Sequence, residues 1–138
     1  MSNEILDVNE KETGKYRVRP SKDEWFMEMA QISAKRSTCL RQCVGAVIVV
    51  DGRVVSHGYN GLPSGDPNCI DTKQCVKDEV KDEAYKPCLH AEQNAIVQCA
   101  KQGIKINEGT IYVTHKPCPT CSKLIRASGL KRVVVLDQ

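Results

Sequence analysis

Two short stretches restrict this chain more than any other feature: His90-Ala91-Glu92-Gln93-Asn94-Ala95 and Pro117-Cys118-Pro119-Thr120-Cys121. The first offers a histidine with a carboxylate two residues on. The second offers two thiols three positions apart, flanked by prolines. Together they hold three soft or borderline metal ligands and one acid that need not bind metal. That set suits a catalytic zinc, which takes three protein ligands and keeps a fourth tetrahedral position for water. Any fold adopted by the chain must bring these two distant segments together.

The chain has 138 residues, enough for one domain with a sizeable core. Its net charge of +3 is mild and the basic residues are dispersed, which favours a small anionic ligand over a nucleic-acid track. No apolar run approaches the roughly 20 residues of a membrane span, so no membrane partner is expected. Residues 1–12 are acidic and polar, without a secretion signal, and a cytoplasmic location is expected. Eight cysteines in a reducing compartment read as metal ligands or catalytic groups ahead of a disulfide framework.

Residues 1–20 read as a flexible N-terminal arm and residues 21–138 as the domain. Ser21-Lys22-Asp23-Glu24 has the spacing of a capping box, and Trp25, Met29 and Ile32 follow as one apolar face through about residue 34. Residues 44–50 are β-branched and almost continuously apolar, so both faces of that strand should be covered. Asp51-Gly52 predicts a hairpin turn, with residues 53–57 returning antiparallel. From 58 to 87 glycines and prolines mark a long loop, in which 73–86 could hold a short helical turn. A helix over 90–102, with Ala91, Ala95, Ile96, Cys99 and Ala100 on its apolar face, ends at Gly103. A strand over 110–114, a helix over 118–128 and a buried strand over 132–136 complete an α/β order. The last strand–helix–strand unit requires parallel strands, whereas the hairpin is antiparallel, so the sheet is mixed.

Both ligand stretches open predicted helices, where unpaired N–H groups and a partial positive charge favour thiolates. His90 and Glu92 can reach one site only at the first turn, where residues surround the helix axis. Glu92 would then reach a zinc-acidified water without being a ligand, and carry its proton to a ring nitrogen and a leaving amine. A structural zinc would have four protein ligands and no task for Glu92. The two stretches in this order form the known signature of zinc nucleobase deaminases.

On these residues the chain resembles the cytidine and deoxycytidylate deaminase superfamily, most closely its dCMP deaminases. The resemblance extends over about residues 25–136 and includes Arg36-Ser37-Thr38-Cys39, Val44-Gly45-Ala46-Val47-Ile48, Gly58-Tyr59-Asn60-Gly61-Leu62-Pro63-Ser64-Gly65, Asn68-Cys69 and Tyr112-Val113-Thr114. It implies a three-layer α/β/α fold with a central mixed sheet, and His90, Cys118 and Cys121 as zinc ligands with Glu92 as proton shuttle. It also implies a sugar contact from Asn60 and a pyrimidine carbonyl beside the Ala91 amide. His115 would touch base or sugar, and Lys116 and Arg36, with Lys35 and Lys123 nearby, are candidates for the phosphate. Cys39, Cys69, Cys75 and Cys88 stand where the family places a second, structural zinc that would tie down the long loop. Cys43 and Cys99 are expected to be small core residues, and His57 structural or exposed.

The activity so implied is hydrolysis of dCMP to dUMP, and of dCTP to dUTP as a variant, feeding thymidine nucleotide synthesis. Regulation by dCTP and dTTP and a homo-oligomer, a hexamer in many members, are further implications. Several relatives continue beyond the point matching Gln138, so the resemblance does not carry over regulatory or interface behaviour that depends on such a tail. A tRNA adenosine deaminase shares the zinc stretches, but the 58–65 loop, the cysteine-bearing insertion and the modest charge oppose it. A free-nucleoside cytidine deaminase stays open, as does a zinc-stabilised interaction module, although the latter leaves Glu92 idle.

Overall fold

A computed structural model describes residues 2–7, 17–75, 82 and 86–137. Among them the elements run β1 (Asn3–Leu6), α1 (Lys22–Ala34), β2 (Gly45–Val50), β3 (Arg53–Tyr59), α2 (Cys69–Thr72), α3 (Ala91–Gln102), β4 (Thr110–Val113), α4 (Pro119–Ala127) and β5 (Arg132–Leu136). The strands form one sheet in the order β1-β5-β4-β2-β3. β2 is antiparallel to both β3 and β4, and β5 is parallel to both β4 and β1.

Alternation along β2 shows why this sheet lies between two helical layers. Val47 and Val49 face α1 with Phe26, Met27, Ala30, Tyr112 and Val134. Ala46 and Ile48 face α3 and α4, in a cluster with Ala95, Cys99, Ile111, Val113, Ile125, Val133 and Val135. Both faces are buried, as a continuous apolar strand requires. The fold is therefore α/β, in three α/β/α layers around a mixed sheet. The β2–β3 hairpin turns through Asp51 and Gly52 at φ 51° and 74°, the left-handed pair of a type I′ turn.

The capping box at α1 is present: Ser21 Oγ accepts from Glu24 N at 3.1 Å, and Glu24 Oε1 accepts from Ser21 N at 3.2 Å. The buried face of that helix is not the expected one. Phe26, Met27, Ala30 and Ala34 face the sheet, whereas Trp25 and Ile32 are 48% and 64% exposed. Apolar residues surround α1, so spacing alone fits either stripe, and close packing decides between them. A Cβ on Gly45 would lie 1.9 Å from Ala30 O, so the alanine face lies directly on the strand.

The N-terminus also departs from expectation. Residues 1–20 were expected to form a flexible arm, yet Asn3–Leu6 pairs in parallel with β5 as the edge of the sheet. Its side chains are mostly exposed, so the strand has no buried alternation to reveal it. Backbone pairing and contacts from Arg132 to Glu4 hold it instead. Residues 8–16 lie outside the described residues.

The long loop has a helical turn at Cys69–Thr72, which Lys73 ends at φ 57°. The short turn expected within 73–86 falls mostly on 76–85, most of which lies outside the described residues. Paired bonds between Gly61 and Leu89, 3.1 and 2.8 Å long, close the loop's base just ahead of α3. α3 buries Ala91, Ala95, Ile96 and Cys99 and ends at Gly103 with φ 68°, while Ala100, expected on the same face, is exposed. Its first turn rests on β3, where a Cβ on Gly58 would lie 2.4 Å from Ala91 O.

Candidate active site

His90 is the N-cap of α3 and Cys118 the N-cap of α4, both with extended backbone. An N-cap side chain folds back across the first turn toward the third helical residue. Cys118 does so, its Sγ accepting from Cys121 N at 3.4 Å, and Pro119 preorganises the first helical position. Cys118 and Cys121 therefore project to the same point. This site lies beyond the carboxyl end of β4, the usual location of functional groups in sheets with parallel strands.

His90 Nδ1 lies 3.5 Å from Cys118 Sγ and 3.3 Å from Cys121 Sγ, and the three ligand atoms are all within 4.8 Å of one another. A tetrahedral zinc with ordinary Zn–N and Zn–S bonds would separate nitrogen from sulfur by about 3.5 Å. The donor set thus fits one zinc through Nδ1, a choice of ring nitrogen that sequence cannot make. Cys121 is fully buried, and that burial first, then the Glu92 charge, pushes its thiol well above the ordinary value. A divalent cation among these ligands reverses that balance and makes the thiolate the stable form. Glu92, only 4% exposed, occupies the first turn of α3.

A cavity of about 250 Å³ opens onto this cluster. Of the expected substrate contacts, Asn60, Ala91, His115 and Lys116 line it together with His90, Glu92 and Cys118. Arg36 does not; it lines a separate cavity of about 670 Å³ beside the 58–65 loop. Asn60 is tightly held: its Oδ1 accepts from Ser37 Oγ at 2.7 Å and Val44 N at 2.9 Å, and its Nδ2 donates to Gln42 O at 2.7 Å. His115 Nδ1 lies 2.9 Å from Thr114 Oγ1, which accepts from Gly45 N at 3.0 Å.

Of this framework Gln42 was not singled out from sequence, and Ser37, Val44 and Thr114 stood in the quoted motifs without a role. Ser37 and Thr114 are buried hydroxyls.

Cys39, Cys69 and Cys75 are buried and Cys88 partly so, and Ile70 N donates to Thr38 O at 3.1 Å, laying two of these segments side by side. No three of them meet at ligand distance; among the described residues His90, Cys118 and Cys121 form the group that does. Cys43 was expected in the core and is exposed, because it precedes β2 instead of entering it. Cys99 is buried as expected, and that burial raises its thiol pKa. His57 is exposed on β3. No helix among the described residues is long and apolar enough to cross a membrane.

The family model for the cytidine and deoxycytidylate deaminase zinc-binding region matches residues 20–137. A deoxycytidylate deaminase of Schizosaccharomyces pombe is 41% identical over 123 residues, covering 86% of this chain and 38% of the relative. The chain thus spans well under half of that protein's length. A deoxycytidylate deaminase of Mycobacterium phage D29 is also 41% identical over 123 residues, covering 84% of this chain and 94% of the relative. Among solved structures, a dCMP deaminase of cyanophage S-TIM5 in complex with dCMP and dUMP superposes with a TM-score of 0.71. It shares 36% identity, covering 88% of this chain and 86% of that one.

Proposed function

The chain belongs to the cytidine and deoxycytidylate deaminase zinc-binding family, and on that premise we propose that it hydrolyses dCMP to dUMP and ammonia, feeding thymidine nucleotide synthesis. The observation that carries this reading is one cavity holding a three-ligand cluster and a buried carboxylate that the cluster does not require. Zinc held by His90, Cys118 and Cys121 would supply an acidified water as nucleophile. Glu92 would accept a proton from the attacking water and deliver it to the pyrimidine ring nitrogen. It would then move the second proton to the exocyclic amine, which would leave as ammonia while the water's oxygen becomes the new carbonyl. Glu92 ends as it began, and dCMP plus water balances dUMP plus ammonia.

Around this chemistry the Ala91 amide would meet the pyrimidine carbonyl, Asn60 the sugar and His115 the base or sugar. Lys116, exposed at the rim, suits the phosphate. Arg36 would instead meet the phosphates of an effector such as dCTP or dTTP in the larger cavity. That cavity's position on the 58–65 loop supports such regulation. The protein would work in the cytoplasm as a homo-oligomer, a hexamer, with no stable nucleic-acid or membrane partner. A second, structural zinc on Cys39, Cys69, Cys75 and Cys88 is favoured by their placement around one loop.

The test is ammonia release from dCMP, dCTP, deoxycytidine, cytidine, CMP and tRNA, with and without added dCTP or dTTP. Turnover of dCMP, alone or with dCTP, is expected; turnover of tRNA alone would overturn the reading. Light scattering reads the assembly. Metal analysis should find two zincs per chain; one zinc, with Cys75→Ser folding normally, would remove the second site.

A further inference from the structure

Asn60 is 7% exposed and lines the cavity above His90. A side-chain amide has two acceptor lone pairs and two N–H donors. Both lone pairs of Asn60 are used, by Ser37 Oγ at 2.7 Å and Val44 N at 2.9 Å, and one N–H is used by Gln42 O at 2.7 Å. Turning the amide over would set Nδ2 against a donor at Val44 and Oδ1 against a carbonyl, so its orientation is determined. Ser37 completes the arrangement. Its hydroxyl accepts from Cys39 N at 3.2 Å and directs its own hydrogen between Asn60 Oδ1 and, at 2.9 Å, Asn60 O.

We propose that Ser37 is a positioning residue for nucleotide binding: by occupying the second lone pair of Asn60 Oδ1, it makes Asn60 a donor-only contact in the cavity. The ligand atom that Asn60 meets is then an acceptor, such as a sugar hydroxyl oxygen. Ser37 is not among the residues lining the cavity, and its hydroxyl reaches Asn60 and the backbone N–H of Cys39. Without it, Oδ1 has an open lone pair, the amide can tilt, and Asn60 can equally accept from a ligand or a water. This inference rests on the proposed dCMP chemistry.

The experiment is steady-state turnover of dCMP by zinc-loaded wild type, Ser37→Ala, Ser37→Thr, Asn60→Ala and the Ser37→Ala/Asn60→Ala double variant. Loss of one buried hydrogen bond at a binding contact should raise KM in Ser37→Ala by roughly three- to tenfold with kcat within about twofold. Ser37→Thr, which keeps the hydroxyl, should restore KM. In the Asn60→Ala background, Ser37→Ala should add nothing. A Ser37→Ala protein with unchanged KM, or effects that add in the double variant, would overturn the proposal, since a purely structural serine would lower Tm without that coupling. The Asn60 side-chain amide signals of the wild type provide a reading that needs no variant to fold. One Nδ2 proton should be protected from exchange and the other should shift on adding dCMP; two exchanging protons would also overturn the proposal. If the wild type released no ammonia from dCMP, the function reading would fall, and the protection of one Nδ2 proton would still decide whether the amide is fixed.

Discussion

Two polar clusters sit at opposite ends of the parallel strands β4 and β5, and they differ in the groups they bring together. At the amino-terminal end Arg132 grips Asp23 with two bonds, Nη1 to Oδ1 at 2.8 Å and Nη2 to Oδ2 at 2.6 Å. Tyr112 donates to the same Oδ1 at 2.6 Å, and Arg132 also reaches Glu4. Donors there are matched to acceptors, and the hydrogen bond from Arg132 holds the Asp23 carboxyl below its ordinary value, against the opposing effect of burial. At the carboxyl-terminal end His90, Cys118 and Cys121 converge at metal-ligand distance, and Asn60 lines the cavity beside them. The first cluster ties β1 and α1 to the sheet. The second brings together three ligand atoms that could hold a metal ion. Polar burial by itself therefore marks neither stability nor function, and the distinguishing sign is the kind of groups brought together: an ion pair at one end, a metal-ligand set at the other.

The contrast is broken most severely at the metal. Chelation, or Cys121→Ser, should reduce ammonia release to background, and added zinc should restore the chelated wild type but not the variant. Next, Glu92→Gln should lower kcat by about 10²- to 10⁴-fold while the melting temperature and zinc content hold; an active variant would leave the cavity without its acid. At the other cluster the effect should move from rate to stability. Asp23→Ala should cost about 1–2 kcal/mol in denaturant unfolding, a figure reduced because the Arg132 side chain is 37% exposed, with kcat and KM unchanged. Loss of turnover there would mean that the two ends are coupled.

Acid adds a finer measure. The folded Asp23 pKa lies below the ordinary 3.8, so its contribution is full above that value and disappears as pH falls through the lower folded one. Asp23→Asn should flatten that part of the stability–pH curve. The smallest effect belongs to the outer face of α1. Ile32→Ser should change stability by no more than about 0.5 kcal/mol, because Ile32 is already 64% exposed.

What could be read in advance follows from how local each signal is. His90, Cys118 and Cys121 were legible because the geometry of an N-cap and the third helical residue converts a short spacing into a shared direction. β5 was legible from Arg132 to Leu136 because three consecutive buried valines leave little alternative. β1 was not, since backbone pairing leaves no pattern in exposed side chains. The buried face of α1 was misread because apolar residues surround the helix and only the close approach at Gly45 selects one stripe. Arg36 shares a motif with Ser37, yet the two side chains serve different cavities. Asn60 could be named, but the partners that orient it lie 16, 18 and 23 positions away, beyond the reach of any local pattern.

Gly58 carries a different kind of consequence. A Cβ there would come within 2.4 Å of Ala91 O and 2.7 Å of Ala95 N, both backbone atoms that cannot swing aside. The missing methyl works as a spacer of zero thickness beneath the turn that bears Glu92. Enlarging it would lift that turn off the sheet and carry the acid away from the cysteines, which belong to another helix. Alignment of the reactive groups is in this sense a machining tolerance, set from below by a residue that never faces the cavity.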